Sequence, residues 1–452
     1  LFRTCCHNSL AVYFSATKDR YQEVFLNPSN ILAENRMKVL IAGGGIGGLV
    51  TALCLERAGI EACVFESVEE IRPLGVGINL LPHSVRVLTA LGLATRLAET
   101  AIATAELIYF NKFGQLIWRE PRGLAAGYHW PQYSIHRGRL QMLLLETVRE
   151  RLGETAVRTG CHLESFSERD NQIEARFTNR TTGETVASET GDLLVGADGI
   201  HSRVRKHFYP NEREPKFSGK VLWRGVTESA PYLTGRSMFM AGYANRKFVA
   251  YPICPQTAAR GRSLVNWVAD VYVGDAYAGT PRDWNRQVNQ DAVLPAFADW
   301  HFDWLDIPAL IKGASAIYEF PMIDRDPVER WSFGRVTLLG DAAHPMYPIG
   351  SNGASQAILD APALTEALTT ESDIVSALQQ YERARLQPTA RIVLSNRQQG
   401  PEQVMQLVEE RAPTGFTHLH EVISQAELEE IANRYKQIAG FSREELNAKH
   451  VN

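Results

Sequence analysis

Two clusters of glycine and acidic residues, almost 300 positions apart, carry the readable chemistry of this chain. The first is Gly43-Gly44-Gly45-Ile46-Gly47-Gly48, a G-x-G-x-x-G pattern between an apolar run and a helical one. Its glycines permit a tight turn and a close backbone approach to a pyrophosphate lying at a helix N-terminus. Glu66 stands eighteen residues after Gly48, near the offset of about 20 at which an acid accepts hydrogen bonds from a ribose. A carboxylate there repels a ribose 2′-phosphate, so the pattern predicts a site for FAD or NAD rather than NADP.

The second cluster is GRVTLLGDAAHPMYPIGSNGASQAILDA, Gly334 to Ala361. An NAD dehydrogenase has no need of another strand-end glycine–aspartate signature. FAD does, because its ribityl chain and ring extend well beyond the pyrophosphate. Gly340 would let the backbone approach the cofactor, Asp341 would accept hydrogen bonds from ribityl hydroxyls, and Ala342 and Ala343 are small enough to pack beneath.

The elements that must hold these residues follow from periodicity. Strand Lys38–Ala42, helix Gly47–Ala58 and strand Ala62–Glu66 make a βαβ start, and Asp192–Gly196 and Arg335–Leu339 read as further strands of the same sheet. Between about 215 and 317 the texture becomes short β-branched and aromatic runs such as Lys247–Ile253 and Ser263–Tyr272. After Ser355 the pattern is helical to the end. The expected organisation is an α/β chain. A discontinuous Rossmann-like FAD-binding domain takes 37–108, 132–214 and 318–365; an inserted β-sheet substrate domain takes 109–131 and 215–317; a helical region takes 366–452. Residues 1–36 show no signal-peptide pattern and are expected to be a disordered or vector-derived extension.

With 452 residues, 45% of them hydrophobic, the chain can bury a large core. Its 47 basic and 51 acidic residues leave a formal charge of −4, and no block of like charge points to nucleic acid or an anionic membrane. No apolar run approaches the roughly 20 residues of a membrane helix. Six cysteines without C-x-x-C spacing read as reduced thiols of a cytoplasmic protein. A small-molecule partner is the remaining default, and oligomeric state is not readable.

Three motifs in order, GGGIGG with Glu66, DLLVGADGIHSRVR at Asp192–Arg205 and GDAAHPM at Gly340–Met346, resemble the class A FAD-dependent aromatic hydroxylases, the family of p-hydroxybenzoate and salicylate hydroxylases. The likeness runs from Met37 to about Pro413. PIGSNGASQAILDA, with WRG at Trp223–Gly225 and SNRQQGPEQVM at Ser395–Met405, is most similar to the phenazine hydroxylase branch that forms pyocyanin, and departs from the commoner GQG form of that loop. The resemblance implies a p-hydroxybenzoate hydroxylase-type fold. It also implies a monooxygenase that uses NADH or NADPH and O2 to hydroxylate a small aromatic or heteroaromatic, with or without a carboxylate, through a flavin C4a-hydroperoxide. Gly43, Gly45, Ile46, Gly47 and Gly48 would face the FAD pyrophosphate, Glu66 the adenosine ribose and Arg137 the phosphate–adenosine region. The Gly75–Val76 loop and the loop of Pro348, Gly350, Asn352 and Gly353 would flank the flavin ring. Because that second loop precedes a helix starting near Ala354, free N–H groups could stabilise the anionic reduced flavin; a plain cap at Ser351 or Asn352 fits the same pattern. Arg224, Tyr251, Pro252 and Trp267, with Trp223, would line the substrate, Arg224 gripping a carboxylate.

Other candidates carry less. His344 next to Pro345 reads as a loop-shaping residue, and Asp198 and Arg203 as structural supports. His418, His420 and Glu421 lack metal-site spacing, so no metal is expected. No G-x-S-x-G occurs, which disfavours a hydrolase. The alternatives are a flavin oxidoreductase without ring hydroxylation, or a non-catalytic FAD-fold binding protein; Trp300 and Trp304 do not make the W-x-W-x-I-P pattern of a halogenase.

Overall fold

A computed structural model describes residues 37–73, 75–274 and 286–448. The extension expected over 1–36 lies outside the described residues, as do residues 449–452 of the expected C-terminal helical region. Among the described residues, six strands form a sheet in the order Ser332–Phe333, Val336–Leu338, Leu193–Gly196, Lys38–Ala42, Glu61–Phe65, Val157–Arg158, parallel except for the first pair. These strands are nearly continuous apolar runs because helices cover them, as all-parallel sheets require. Helix Ile46–Arg57 buries most of its residues, and helix Gly353–Thr370 packs against it.

Register brings the motifs together. Ala42 pairs with Gly196, Gly196 with Leu338, and Ala42 with Phe65. The chain therefore leaves three adjacent strands at one edge, into GGGIGG, GADG and GDAAH. That is the carboxyl end of a parallel sheet, where ligands of such folds bind.

A second sheet has eight described strands in the order Arg286–Val288, Ile317–Asp324, Lys216–Ser229, Ser263–Tyr272, Arg246–Pro252, Ser237–Tyr243, Glu106–Phe110, Leu116–Pro121. One face buries Trp267, Phe248, Phe297 and Trp300; the other buries Tyr109, Met238, Met240 and Tyr251 under helices Gln403–Arg411 and Gln425–Ile438. Strand Glu106–Phe110 and strand Ile317–Asp324 lie wholly in this sheet, so the expected divisions at 108/109 and 317/318 fall inside strands. The division at 365/366 falls inside helix Gly353–Thr370. Apolar runs next to a domain crossing read alike from either side, and only pairing assigns them. A small sheet of Gly77–Leu80, Gln132–His136 and Ile102–Thr104 joins the two halves.

Candidate functional site

The first motif owes its glycines to crowding. A Cβ on Gly43, whose φ is +113°, would lie 2.3 Å from the Ala197 carbonyl oxygen, and one on Gly48 would lie 2.0 Å from that of Gly43. Gly47 allows the helix-to-helix approach, since a Cβ there would meet Leu339 Cδ2 at 2.8 Å and Ala357 Cβ at 3.4 Å. Gly45 differs: a Cβ on it would meet nothing within 4 Å. It lines a cavity of about 330 Å³, a volume within the range of small-molecule sites.

That cavity gathers both clusters. Gly45, Ile46 and Gly47 line it from the first motif, Ala197 and Gly199 from the middle strand end, and Gly340, Asp341, Pro348, Ser351, Asn352 and Gly353 from the second motif. Arg137, Ile78 and Asn79 complete one wall, and Arg224 and Tyr251 reach in from the second sheet. Two helices start at its border, Ile46–Arg57 and Gly353–Thr370. Neither has a side-chain cap or an acid in its first turn, so the N–H groups at both starts are available to a ligand and each positive end stays unneutralised.

The walls fit FAD. Gly353, like Gly45, would project a Cβ into open space, so nothing in the protein's own packing demands glycine at these two positions, whereas Gly199 is held at a φ of +79° that favours glycine by itself. A bare surface beside uncapped helix starts is the form a pyrophosphate or a flavin edge requires. Asp341 keeps solvent access while the surrounding protein pushes its carboxyl up, against the pull of His344 and Arg137. Glu66 follows its strand and accepts hydrogen bonds from Gly44 N (2.8 Å), Ser67 Oγ (3.0 Å) and Val68 N (3.0 Å). Arg137 opens helix Arg137–Leu152 and donates its N–H to the carbonyl of buried Val76 at 2.9 Å. Val76 thus sets the Arg137 backbone, but neither it nor Glu66 is among the residues lining the cavity.

The substrate-side expectations divide. Arg224 and Tyr251 both donate to the Gly77 carbonyl, at 2.9 and 2.8 Å, while Asn266 Oδ1 accepts from Gly77 N at 2.6 Å. Burial pulls the Arg224 guanidinium down from its ordinary value and pushes the Tyr251 phenol up. Trp267 is a correction: it is fully buried in the opposite face, stacked on Phe248 at 5.7 Å with its Nε1 donating to Thr227 Oγ1. Tyr251 pairs with Asn266 and Ala250 with Trp267, so strand alternation sends Trp267 away from the cavity and its neighbour Asn266 towards it. Trp223 is likewise buried in that core, with Nε1 on Glu319, and Pro252 is buried at its strand end without lining the cavity. Asn266 and Asn79 went unread, although an amide inside an apolar run was the available signal.

His344 is a support, as its turn suggested. Its Nε2 lies 2.7 Å from Asp360 Oδ2, which also accepts from Gly340 N at 3.0 Å, while Arg385 Nε reaches the other oxygen at 2.8 Å. Burial alone would raise Asp360, but His344 and Arg385 hold its carboxyl below the ordinary value. This network anchors the GDAAH turn to helix Gly353–Thr370. Asp198 accepts from Arg203 N at 2.7 Å and shapes the middle turn. Among the described residues, no group of three or more His, Cys, Asp or Glu is placed to hold a metal, and no helix is long and apolar enough to cross a membrane.

Residues 36–395 match the family described as FAD binding domain. The chain belongs to this family. Phenazine 1,6-dicarboxylic acid hydroxylase of Lysobacter antibioticus is 50% identical over 363 residues, covering 79% of this chain and 89% of that protein. A 3-amino-4-hydroxybenzoate 2-monooxygenase of Streptomyces platensis is 34% identical over 380 residues, covering 82% and 89%. Among solved structures, Klebsiella pneumoniae HpxO complexed with FAD and uric acid superposes with a TM-score of 0.70 at 23% identity, covering 91% of this chain and 98% of that one. A salicylate hydroxylase substrate complex gives 0.69 at 22%, covering 92% and 98%. The two structures share its fold. This FAD-binding family member is an FAD-dependent aromatic monooxygenase, with NAD(P)H as reductant.

Proposed function

We propose that this enzyme hydroxylates an aromatic or heteroaromatic ring that carries a carboxylate, with FAD extended along the main cavity from one helix start to the other. The observation that carries the reading is that single cavity, bordered by two uncapped helix N-termini and by Gly45 and Gly353, whose missing side chains the protein's own packing does not require. FAD, when bound, supplies the electron transfer and the activation of oxygen.

The chain's own groups bind, orient and exclude water. The N–H groups of Ile46, Gly47 and Gly48 would hold the pyrophosphate, with Glu66 on the ribose and Arg137 beside the phosphates. Asp341 would accept hydrogen bonds from the ribityl hydroxyls. Asn352 and Gly353, at the second helix start, would face the pyrimidine edge of the flavin and favour negative charge there. Arg224, Tyr251 and Asn266 grip Gly77 and so fix the strand that faces the ring. The carboxylated class is supported by the names of two relatives, each acting on an aromatic acid. Reliance on NAD(P)H and free Cys54, Cys63, Cys161 and Cys254 support a cytoplasmic location.

The test is to purify the protein, record its flavin spectrum, and follow NADH and NADPH consumption with phenazine-1-carboxylate and with 3-amino-4-hydroxybenzoate. Consumption stimulated by the acid, with a product heavier by one oxygen atom, is expected. Protein that stays colourless with added FAD overturns the reading, and consumption that yields peroxide without hydroxylated product for any aromatic moves it to an oxidase.

A further inference from the structure

The Pro348–Gly353 loop is tied to the protein behind it by a line of buried side chains. Arg385 Nη2 donates to Gln356 Oε1 at 2.8 Å, Gln356 Nε2 to Asn352 Oδ1 at 3.1 Å, and Asn352 Nδ2 to the Tyr435 hydroxyl at 2.9 Å. That hydroxyl donates to Asn396 Oδ1 at 2.8 Å, and Asn396 Nδ2 donates to the Tyr347 carbonyl at 3.1 Å. Five hydrogen bonds thus run in one direction, from a guanidinium to the residue before Pro348. Gln356, Asn352, Tyr435 and Asn396 are each no more than 4% exposed, so bulk water does not replace a missing link.

The series starts at the GDAAH turn, because Arg385 also pairs with Asp360, which accepts from Gly340 N. It ends in the SNRQQGPEQVM motif, to which Asn396 belongs. Side branches hold more of the loop. Asn352 Nδ2 reaches the Gly350 carbonyl at 3.1 Å, and the Tyr435 oxygen lies 3.2 Å from the Ile349 carbonyl oxygen. In a trans peptide the N–H points opposite to the C=O. A Gly350 carbonyl held by Asn352 therefore turns the Ser351 N–H the other way, and Ser351 lines the main cavity. Asn352 lines that cavity as well, whereas Gln356 and Asn396 do not.

We propose that Gln356 and Asn396 are positioning residues for the flavin-facing loop. Through Asn352 and Tyr435 they hold its carbonyls back so that its N–H groups meet the ring, and they tie it to the GDAAH turn so that both turns grip the cofactor as one unit. Each member accepts from behind and donates onward, so each bond polarises the next and the loss of one member slackens the rest. The inference rests on the placement of the ring beside Asn352 and Gly353.

FAD is titrated into the FAD-free protein, following flavin fluorescence and then the absorbance of the bound flavin, for wild type, Gln356→Met, Asn396→Leu, their double variant and Thr389→Val. Thr389 is the control, a fully buried hydroxyl on the same helix as Asn396, Ile374–Arg397, bonded to the Arg385 and Leu386 carbonyls. Each single variant of the series should weaken FAD by about fivefold or more, the scale of one buried hydrogen bond, and shift the absorbance band in the same direction. The double variant should stay within about twofold of the weaker single, because members of one network do not add. Thr389→Val should change neither quantity. Losses that multiply in the double variant mark two separate packing defects and overturn the proposal, as do an unshifted flavin band or an equal loss in Thr389→Val. Where Gln356→Met or Asn396→Leu does not fold, Gln356→Glu or Asn396→Asp takes its place with the same expectations, since a carboxylate keeps the size and the accepted bond but withdraws the donated one. Gly353→Ala judges the placement of the ring by itself, because its methyl group would enter the main cavity directly. FAD affinity unchanged in Gly353→Ala overturns that placement, whereas affinity unchanged in Gln356→Met alone overturns the positioning role.

Discussion

Gly45 and Gly48 lie one helical turn apart and are glycine for opposite reasons. A methyl group at Gly48 would collide with the Gly43 carbonyl, whereas one at Gly45 would point into the cavity. Gly48→Ala should therefore cost about 1–3 kcal/mol or more of stability through overpacking, read as a lowered Tm of the FAD-free protein. Gly45→Ala should leave that Tm nearly unchanged and instead weaken FAD binding about tenfold or more, measured by recovery of flavin fluorescence on dilution, because the added methyl occupies the approach to the pyrophosphate. Asp360 is a residue-scale case of a different kind. Its folded pKa lies below the ordinary value, so its contribution is fully present above about pH 4 and is lost as pH falls through the folded value. Asp360→Asn should remove that acid-limb dependence from a pH series of Tm and cost about 3–5 kcal/mol, since His344 and Arg385 lose their buried partner.

At the scale of elements, the Pro348–Gly353 loop is held by a helix beyond the family-matched residues 36–395. Gly350 at φ +67° and Ser351 at φ +59° turn it through left-handed backbone. Tyr435 of helix Gln425–Ile438 fastens the turn: Asn352 Nδ2 donates to its hydroxyl at 2.9 Å, and Asn396 Oδ1 lies 2.8 Å from that oxygen. A Cβ on Gly350 would sit 2.0 Å from the same oxygen, so the glycine admits the tyrosine as much as the turn. Tyr435→Phe leaves both amides underbonded, and a buried group left without its partner costs about 1–3 kcal/mol. The expected outcome is faster FAD release and a shifted flavin absorbance band with unchanged helical content. Unchanged flavin behaviour would show that the loop holds its shape alone.

For the whole molecule, the C-terminal helices are the cover of the second sheet. Val404, Met405, Val408, Leu428 and Ile431 bury against Tyr109, Met238, Met240 and Tyr251. Ending the chain after Pro413 would strip Leu428 and Ile431 from that face and remove Tyr435 from the loop, exposing a contiguous apolar patch of the kind soluble monomers avoid. Such a truncation should aggregate or bind a hydrophobic dye, and should not retain flavin; a soluble yellow product would contradict the assignment of these helices as structural cover.

Much of the cofactor side was legible in the residues. GGGIGG, GADG and GDAAH each end an apolar strand, and strand-end glycines and acids have local causes, tight turns and close backbone approach, that short motifs carry intact. The substrate side was not. Arg224 and Tyr251 were found beside the cavity, yet Trp267 belongs to the opposite face, and its neighbour Asn266 holds the Gly77 strand instead. In SLVNWVADVY both phases of the alternation are largely apolar, because both faces of that sheet are buried, so the period of two could not say which way each residue points. The meeting of Glu120 with Lys436, and of Tyr435 with the loop at Gly350, joins residues more than 80 positions apart. Local pattern alone determined that the cofactor is the long, two-ended FAD, and it named the three motif-bearing strand ends that the sheet sets side by side. Only the packing of the C-terminal helices across the second sheet decided which of its side chains turn to the cavity and which to the opposite core, because contacts between distant segments leave no periodicity in either one.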